Sequence, residues 1–273
     1  MRSKKNGDRM KFNDILYEKH DGIAVATFNR PDSLNTFRNG MLRELEQILT
    51  DVRRDNNLQV LILTGKGRAF SAGRDLKDLA FLYEAASSSD KLRQEVQLLA
   101  NITKQLTRIP KVVIAAVNGV AVGIGAEFAL ACDIRMASEQ ASFGFPEVKR
   151  ALYVTNGVLY FLPKLVGLGR AKDWLLTGEK ISAREALEAG LVTAVLPADK
   201  LMKSVIDKSR IIAANAPRSI RLTKEAFQKI NEMDLESVLK LEENSVVACH
   251  ESEDFFEGSR AFIEKRDPVY KGK

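Results

Sequence analysis

The chain has 273 residues, 45% of them hydrophobic and 29% charged, a length that can bury a large core and a composition that excludes a disordered or fibrous protein. No uninterrupted apolar run is long enough to span a membrane, while two histidines and two distant cysteines, Cys132 and Cys249, exclude a disulfide framework and a histidine-built metal site. The net charge of +6 would suit a polyanionic ligand, but acidic and basic residues interleave, as in Arg43-Glu44, Lys224-Glu225 and Glu264-Lys265-Arg266, which is the pattern of solvated helix faces.

Residues 1–12 open with MRSKKNGDRMK, which lacks the apolar stretch and small-residue cleavage site of a secretory signal. A loose N-terminal arm and a cytoplasmic location are expected. ILYEKHDGIAVATFN then reads as two strands joined at Asp21-Gly22, a strong hairpin signal. From Phe37 the apolar residues Met41, Leu42, Leu45, Ile48, Leu49 and Val52 recur at helical spacing. VLILT (60–64) is a short apolar strand. A second helix runs through Leu92, Val96, Leu99, Leu106 and Ile109 and is stopped by Pro110.

KVVIAAVNG (111–119) returns to strand and GAEFALA begins another helix. Strand, loop and helix thus alternate without a sequence period, which favours an α/β architecture over a solenoid. Ser182-Ala-Arg-Glu185 is a capping box opening the helix that ends at Gly190, and LVTAVLP follows as a strand. After Pro197 nearly everything reads as amphipathic helix. The expected organisation is an α/β core over 13–200 and a helical region over 201–273 whose apolar faces could close over the core or meet another subunit.

Several chemistries have little support. There is no G-x-S-x-G elbow for a Ser-His-Asp hydrolase. GVAVGIGAEF places Phe128 where a dinucleotide fingerprint needs its third glycine, and TGKGRAF lacks the spacing of a P-loop. Neither an RRM-like nor a KH-like segment is present, so an RNA-binding protein is only a remote alternative.

Three stretches remain: GKGRAFSAGRDLK (65–77), NGVAVGIGAEFALACD (118–133) and ASFGFPEVK (141–149). The first two place small residues directly after an apolar strand, where a sharp turn can leave N–H groups free to face a ligand. The same glycines can equally serve only the turns. Glu127 lies in an almost wholly apolar run, where an unpartnered carboxylate is costly. Glu147 follows twenty residues later. Two carboxylates held close in an apolar pocket have their pKa values pushed apart, so that one donates a proton while the other accepts. Alternatively, Glu147 sits at the surface and Glu127 pairs with an arginine.

GRAFSAGRDLK, AAVNGVAVGIGAEFALACDIRMASEQASFGFPEV and LVGLGRAKDWLLTGEKISAREALEAGLVTAVLP together resemble the crotonase superfamily, in particular the enoyl-CoA hydratases and isomerases. The resemblance runs from NRPDSLNTF (29–37) to GSRAFIEKR (258–266). It implies an α/β fold, a crotonase-like spiral core of strand-strand-helix repeats with a helical C-terminal region. It also implies an acyl-CoA thioester as substrate, no further cofactor and no metal, and a homotrimer or homohexamer. Neither a nucleic-acid nor a membrane partner is implied.

Residue by residue, the resemblance assigns the backbone N–H groups of Arg74 and Ile124 to an oxyanion hole. Glu127 would orient and activate a water, and Glu147 would supply the proton to Cα. Ala72 falls where a backbone carbonyl contacts the adenine of CoA, and Phe262 and Lys265 fall where the last helix covers the nucleotide. Lys66 and Arg68 are assigned to its phosphates on charge alone. Retaining both glutamates favours a hydratase adding water syn to a trans-2-enoyl-CoA, while a Δ3,Δ2-enoyl-CoA isomerase or another crotonase-type reaction is the alternative.

Two departures from the family pattern stand out. RALYVTNG (150–157) replaces a Gly-x-x-Pro-x-x-Gly-Gly loop, putting Tyr153 and Val154 at the acyl pocket. Ile124 replaces a common glycine.

Overall fold

The computed structural model describes residues 12–78 and 89–273, so the expected arm, Phe12 apart, lies outside the described residues. The hairpin forms as its turn dictates. β1 (Ile15–His20) and β2 (Ile23–Phe28) pair antiparallel from Ile15↔Phe28 to His20↔Ile23, and Asp21 and Gly22 both take the left-handed φ, 49° and 78°, that matches the twist of the strands. Helix α1 (Asn39–Arg54) buries Met41, Leu42, Leu45, Ile48, Leu49 and Val52, the six positions its periodicity singles out.

Beyond it the chain repeats one unit. β3 (Val60–Gly65) and β4 (Ala69–Ser71) lead toward α2 (Ser89–Arg108), and β5 (Val112–Val117) and β6 (Val120–Val122) lead into α3 (Ile124–Ala131). β7 (Ile134–Ser138) and β8 (Ser142–Gly144) lead through a 3-10 turn, Pro146–Arg150, to α4 (Val158–Val166) and α5 (Leu168–Thr177). In each unit the first strand joins a six-stranded sheet and the second a four-stranded one. With β9 (Lys180–Ser182) and β10 (Ala194–Leu196), the orders are β1-β2-β3-β5-β7-β10 and β4-β6-β8-β9. Successive units therefore stack in parallel and wind a spiral. Side-chain amides fasten its corners: Asn118 accepts from the Gly65 N–H and donates to Gly67 O, and the buried Asn35 donates to Lys66 O and Ala69 O.

Helix α6 (Ala183–Glu188) opens with the expected capping box, Ser182 and Glu185 each accepting from the other's N–H. The strand expected over LVTAVLP is shorter, only Ala194–Leu196. The N–H groups of Leu191 and Val192 both turn back to Ala186 O, so these residues close the preceding helix instead of extending the sheet.

The described chain after Leu196 is mainly helical up to Glu264. α7 (Leu201–Ala213) lays Leu201 and Val205 on the face of the large sheet formed by Ile23, Val60, Ile62, Ile114 and Met136. α8 (Pro217–Phe227) is pinned by Lys224, whose buried ammonium donates to Lys111 O at 2.8 Å and to Asp133 at 2.7 Å. α9 (Leu235–His250) buries no residue within the chain, and with α10 (Glu253–Glu264) it leaves Leu235, Val246, Phe256, Phe262 and Ile263 exposed. No helix among the described residues is long and apolar enough to cross a membrane.

Candidate active site

The loops leaving β4 and β6 meet backbone to backbone. Gly73 and Gly123 have φ of 99° and 53°, a region that side chains rarely enter. A Cβ on Gly73 would lie 2.9 Å from Val122 O and 3.8 Å from the Gly123 Cα, and one on Gly123 would lie 3.0 Å from Glu147 Oε1. Only glycine permits this approach, which sets the loop that carries Arg74 against the loop that carries Ile124, with Gly123 next to the Glu147 carboxylate.

Both amides are left free by their neighbours. Arg74 forms a parallel bridge with Phe37, in which the Gly73 carbonyl accepts from Phe37 N–H at 2.8 Å and Asp75 N–H donates to Phe37 O at 2.9 Å. The Arg74 N–H therefore points to the opposite side of the strand. Ile124 is the first residue of α3, where no intrahelical acceptor exists for its N–H. Neither donates to a protein acceptor among the described residues.

The side chain of Arg74, which the resemblance left without a role, is engaged. Its guanidinium meets Glu95 on α2 and donates to Phe37 O and Asn39 Oδ1. The bulky Ile124 side chain is buried in the main core.

Glu127 stands in the first turn of α3, buried among Ala126, Phe128 and Ala129, with only 1% of its surface exposed. It does not pair with an arginine. Its carboxylate accepts from Thr155 N–H at 3.0 Å, Thr155 Oγ1 at 2.7 Å and Asn156 Nδ2 at 2.7 Å. Burial pushes this carboxyl above its ordinary value, and the three hydrogen bonds pull against that rise. Arg135 serves the other end of α3, donating to the carbonyls of Ala129, Leu130 and Cys132.

Glu147 sits second in the 3-10 turn that Pro146 opens. Its Oε2 is buried and has no hydrogen-bond partner among the described residues. Burial, and then the charge of Glu127, push its carboxyl up to about 7. Two carboxyl groups close enough to feel each other are thus held in unlike surroundings, one bonded three times and one with a buried oxygen left unpartnered.

The other expected residues lie farther out. Ala72, half-buried, donates its N–H to Leu34 O, and Lys66 and Arg68 are exposed on the turn between β3 and β4. Val154 packs on the core, whereas Tyr153 is 77% exposed. Phe262 lines a separate C-terminal cavity of about 520 Å³ with Ser219, Cys249 and Tyr270, and Lys265 caps α10 in the left-handed conformation. That cavity includes no residue of the 66–74 loop. Among the described residues no cluster of His, Cys, Asp and Glu could hold a metal.

Thr155 and Asn156 are absent from the sequence-based assignment. The signal available for them was two polar residues before a glycine, TNG, in the loop that departs from the family pattern.

The enoyl-CoA hydratase/isomerase family model matches residues 18–273. The short-chain-enoyl-CoA hydratase of Clostridium acetobutylicum is 35% identical over 94% of this chain and 97% of its own. The crotonyl-CoA hydratase of Syntrophomonas wolfei is 34% identical over 94% and 97%. The crystal structure of an enoyl-CoA hydratase from Bacillus anthracis superposes with a TM-score of 0.90 at 38% identity, covering 96% of this chain and 100% of that one. With the same two-sheet spiral and the motifs that carry both glutamates, the chain belongs to the enoyl-CoA hydratase/isomerase family of the crotonase superfamily.

Proposed function

We propose that the protein is an enoyl-CoA hydratase, adding water syn across the double bond of a trans-2-enoyl-CoA thioester. The observation that carries this reading is the pair Glu127 and Glu147 beside two free backbone amides. Attack at Cβ drives electrons onto the thioester oxygen, and the N–H groups of Arg74 and Ile124 stabilise that enolate. Glu127 takes a proton from the attacking water. Glu147, whose raised pKa keeps a proton available near neutrality, delivers it to Cα. Transfer of the proton from Glu127 back to Glu147 through solvent restores the starting state.

The nucleotide of CoA is assigned to the Ala72 carbonyl with Lys66 and Arg68, and to Phe262 and Lys265 on the last helix. Val154 and Tyr153 are assigned to the acyl pocket. The apolar side chains that α9 and α10 leave exposed support a homotrimer or homohexamer, and the reading places the enzyme in the cytoplasm with no cofactor beyond its substrate. The isomerase reading requires Glu147 alone and leaves the second buried carboxylate without a task.

The test is a panel of short, long, branched and aromatic enoyl-CoA esters, followed by loss of the conjugated thioester absorbance. Turnover of at least one member is expected, and none across the panel rejects the hydratase. Light scattering at micromolar concentration is expected to give three or six times the chain mass.

A further inference from the structure

The loop 150–157, where the chain departs most from its family pattern, is the loop that reaches Glu127. A carboxylate offers about four acceptor positions. On Glu127 three are taken: Oε1 accepts from the Thr155 N–H, and Oε2 accepts from both Thr155 Oγ1 and Asn156 Nδ2. Oε2 is filled, and one position remains on Oε1.

The donors are themselves held. Thr103 on α2 donates from Oγ1 to Asn156 Oδ1 at 3.3 Å, which turns the amide nitrogen of Asn156 toward Glu127. Asn156 is 6% exposed and has a φ of 51°, a left-handed conformation that asparagine tolerates better than most residues. A buried chain of contacts therefore runs from α2 through Asn156 to the carboxylate.

The charged groups nearby are otherwise committed. β4 and β6 carry no ionisable side chain toward α3. Glu95 on α2 is bonded to Arg74, and Lys164 on α4 stacks on the Tyr160 ring at 3.4 Å. Beyond the C-terminal end of α3, Arg135 is spent on backbone carbonyls and Asp133 on Lys224. Among the described residues this leaves Glu147, whose carboxyl is raised by the charge of Glu127 and lowered by that of Arg150 at the start of the same loop, while burial and the Thr155 and Asn156 donors are what act on Glu127 itself.

Resting on the hydratase reading, we propose that Thr155 and Asn156 are positioning residues: their side chains hold Glu127 as an ionised carboxylate in one orientation and leave a single Oε1 position for the attacking water. Burial alone favours the neutral acid, and donors to the charged form are the force that opposes it. A carboxylate bonded on three sides also cannot rotate, so the water it activates is fixed on one face of the substrate. The loop that replaces the family's glycine-rich pattern thus supplies two side-chain donors to the base.

Thr155→Val keeps the shape of the side chain without its hydroxyl, and Asn156→Gly keeps the left-handed backbone without the amide. In the full-length protein, kcat/KM is measured against pH with an enoyl-CoA that the parent turns over. In parallel the titration of Glu127 is followed by carboxyl carbon NMR, its signal identified by its loss in Glu127→Gln. Each lost hydrogen bond is expected to move the acid limb, and the Glu127 titration with it, upward by about one pH unit. Thr155→Ser, which restores the hydroxyl, should bring both back toward the parent. A merely structural role lowers kcat equally at every pH and leaves both midpoints in place, and that result overturns the proposal. If the parent hydrates nothing, the hydratase reading fails on its own, and the Glu127 titration still decides whether these side chains hold the carboxylate. The two variants disrupt different bonds, so either one that folds carries the test.

Discussion

The guanidinium of Arg74 meets the carboxylate of Glu95 at 2.6 Å, with 8% and 9% of the two side chains exposed. The strand end that presents the Arg74 amide is thereby tied to α2 by a shielded ion pair. Removing one partner strands the other charge. Glu95→Gln is expected to lower stability by about 2–3 kcal/mol, below the roughly 3–5 typical of a broken buried pair, because Asp78 stands 3.4 Å from the same guanidinium. Urea unfolding measures it, and an unchanged midpoint would show that Asp78 takes over completely.

Gly123 has no room for a side chain. At a φ of 53°, an added Cβ meets Glu147 Oε1 at 3.0 Å, so Gly123→Ala must displace either the carboxylate or the peptide that presents Ile124 N–H. Hydration is expected to fall by roughly 100-fold or more, as follows the loss of an oxyanion donor. Gly169→Ala is the control, since nothing lies within 4 Å of its Cβ and it sits inside α5. That change should leave kcat alone and stabilise by about 0.5–1 kcal/mol.

Glu147 makes stability depend on pH. Its carboxyl is raised from an ordinary 4.5 to about 7 by burial and by Glu127, so between those values the folded chain holds a proton that the unfolded chain has released. Its contribution to stability is complete below 4.5 and is lost as pH rises through about 7. Glu147→Gln removes the ionisation. The melting temperature of this variant, relative to the parent, should be higher near pH 8 than near pH 5, and a difference that does not vary with pH contradicts the assignment.

The two glutamates should fail differently. Glu127→Gln keeps the size of the side chain and removes the proposed base, so hydration should drop by roughly two to four orders of magnitude while acyl-CoA binding persists. Exchange of the α-proton of a saturated acyl-CoA in heavy water should survive in Glu127→Gln and vanish in Glu147→Gln. Parental hydration by Glu127→Gln would show that Glu127 is not the base.

The nucleotide half of CoA should dominate binding. Calorimetry is expected to show acetyl-CoA binding more tightly than a pantetheine thioester, with affinity falling as salt rises if Lys66 and Arg68 contact phosphate. Equal affinities would displace the nucleotide assignment.

What was legible beforehand is what neighbours in sequence decide. The left-handed pair Asp21-Gly22, the six core positions of α1 and the Ser182–Glu185 capping box all depend on residues within a few turns of one another. Glu127 was conspicuous because a carboxylate in an apolar run demands a partner, and the motif resemblance marked Glu147 and the two amides. The identity of that partner was not legible. Thr155 and Asn156 lie 28 and 29 residues from Glu127, and they reach it only because α3 and α4 pack together.

The chain by itself determined the alternation of strands and helices and the chemistry of its turns, since periodicity and turn geometry act over a few residues. Tertiary structure alone decided which strand of each repeat joined which sheet, that residues 191 and 192 close a helix instead of extending β10, and that Arg74 turns its side chain to Glu95 while its amide stays free. It also set the unlike surroundings of two identical side chains, Glu127 buried and bonded three times, Glu147 half-buried with one buried oxygen unpartnered. The reason is that a carboxyl group's proton affinity depends on every dipole and apolar surface around it, and those are gathered from loops far apart in the chain.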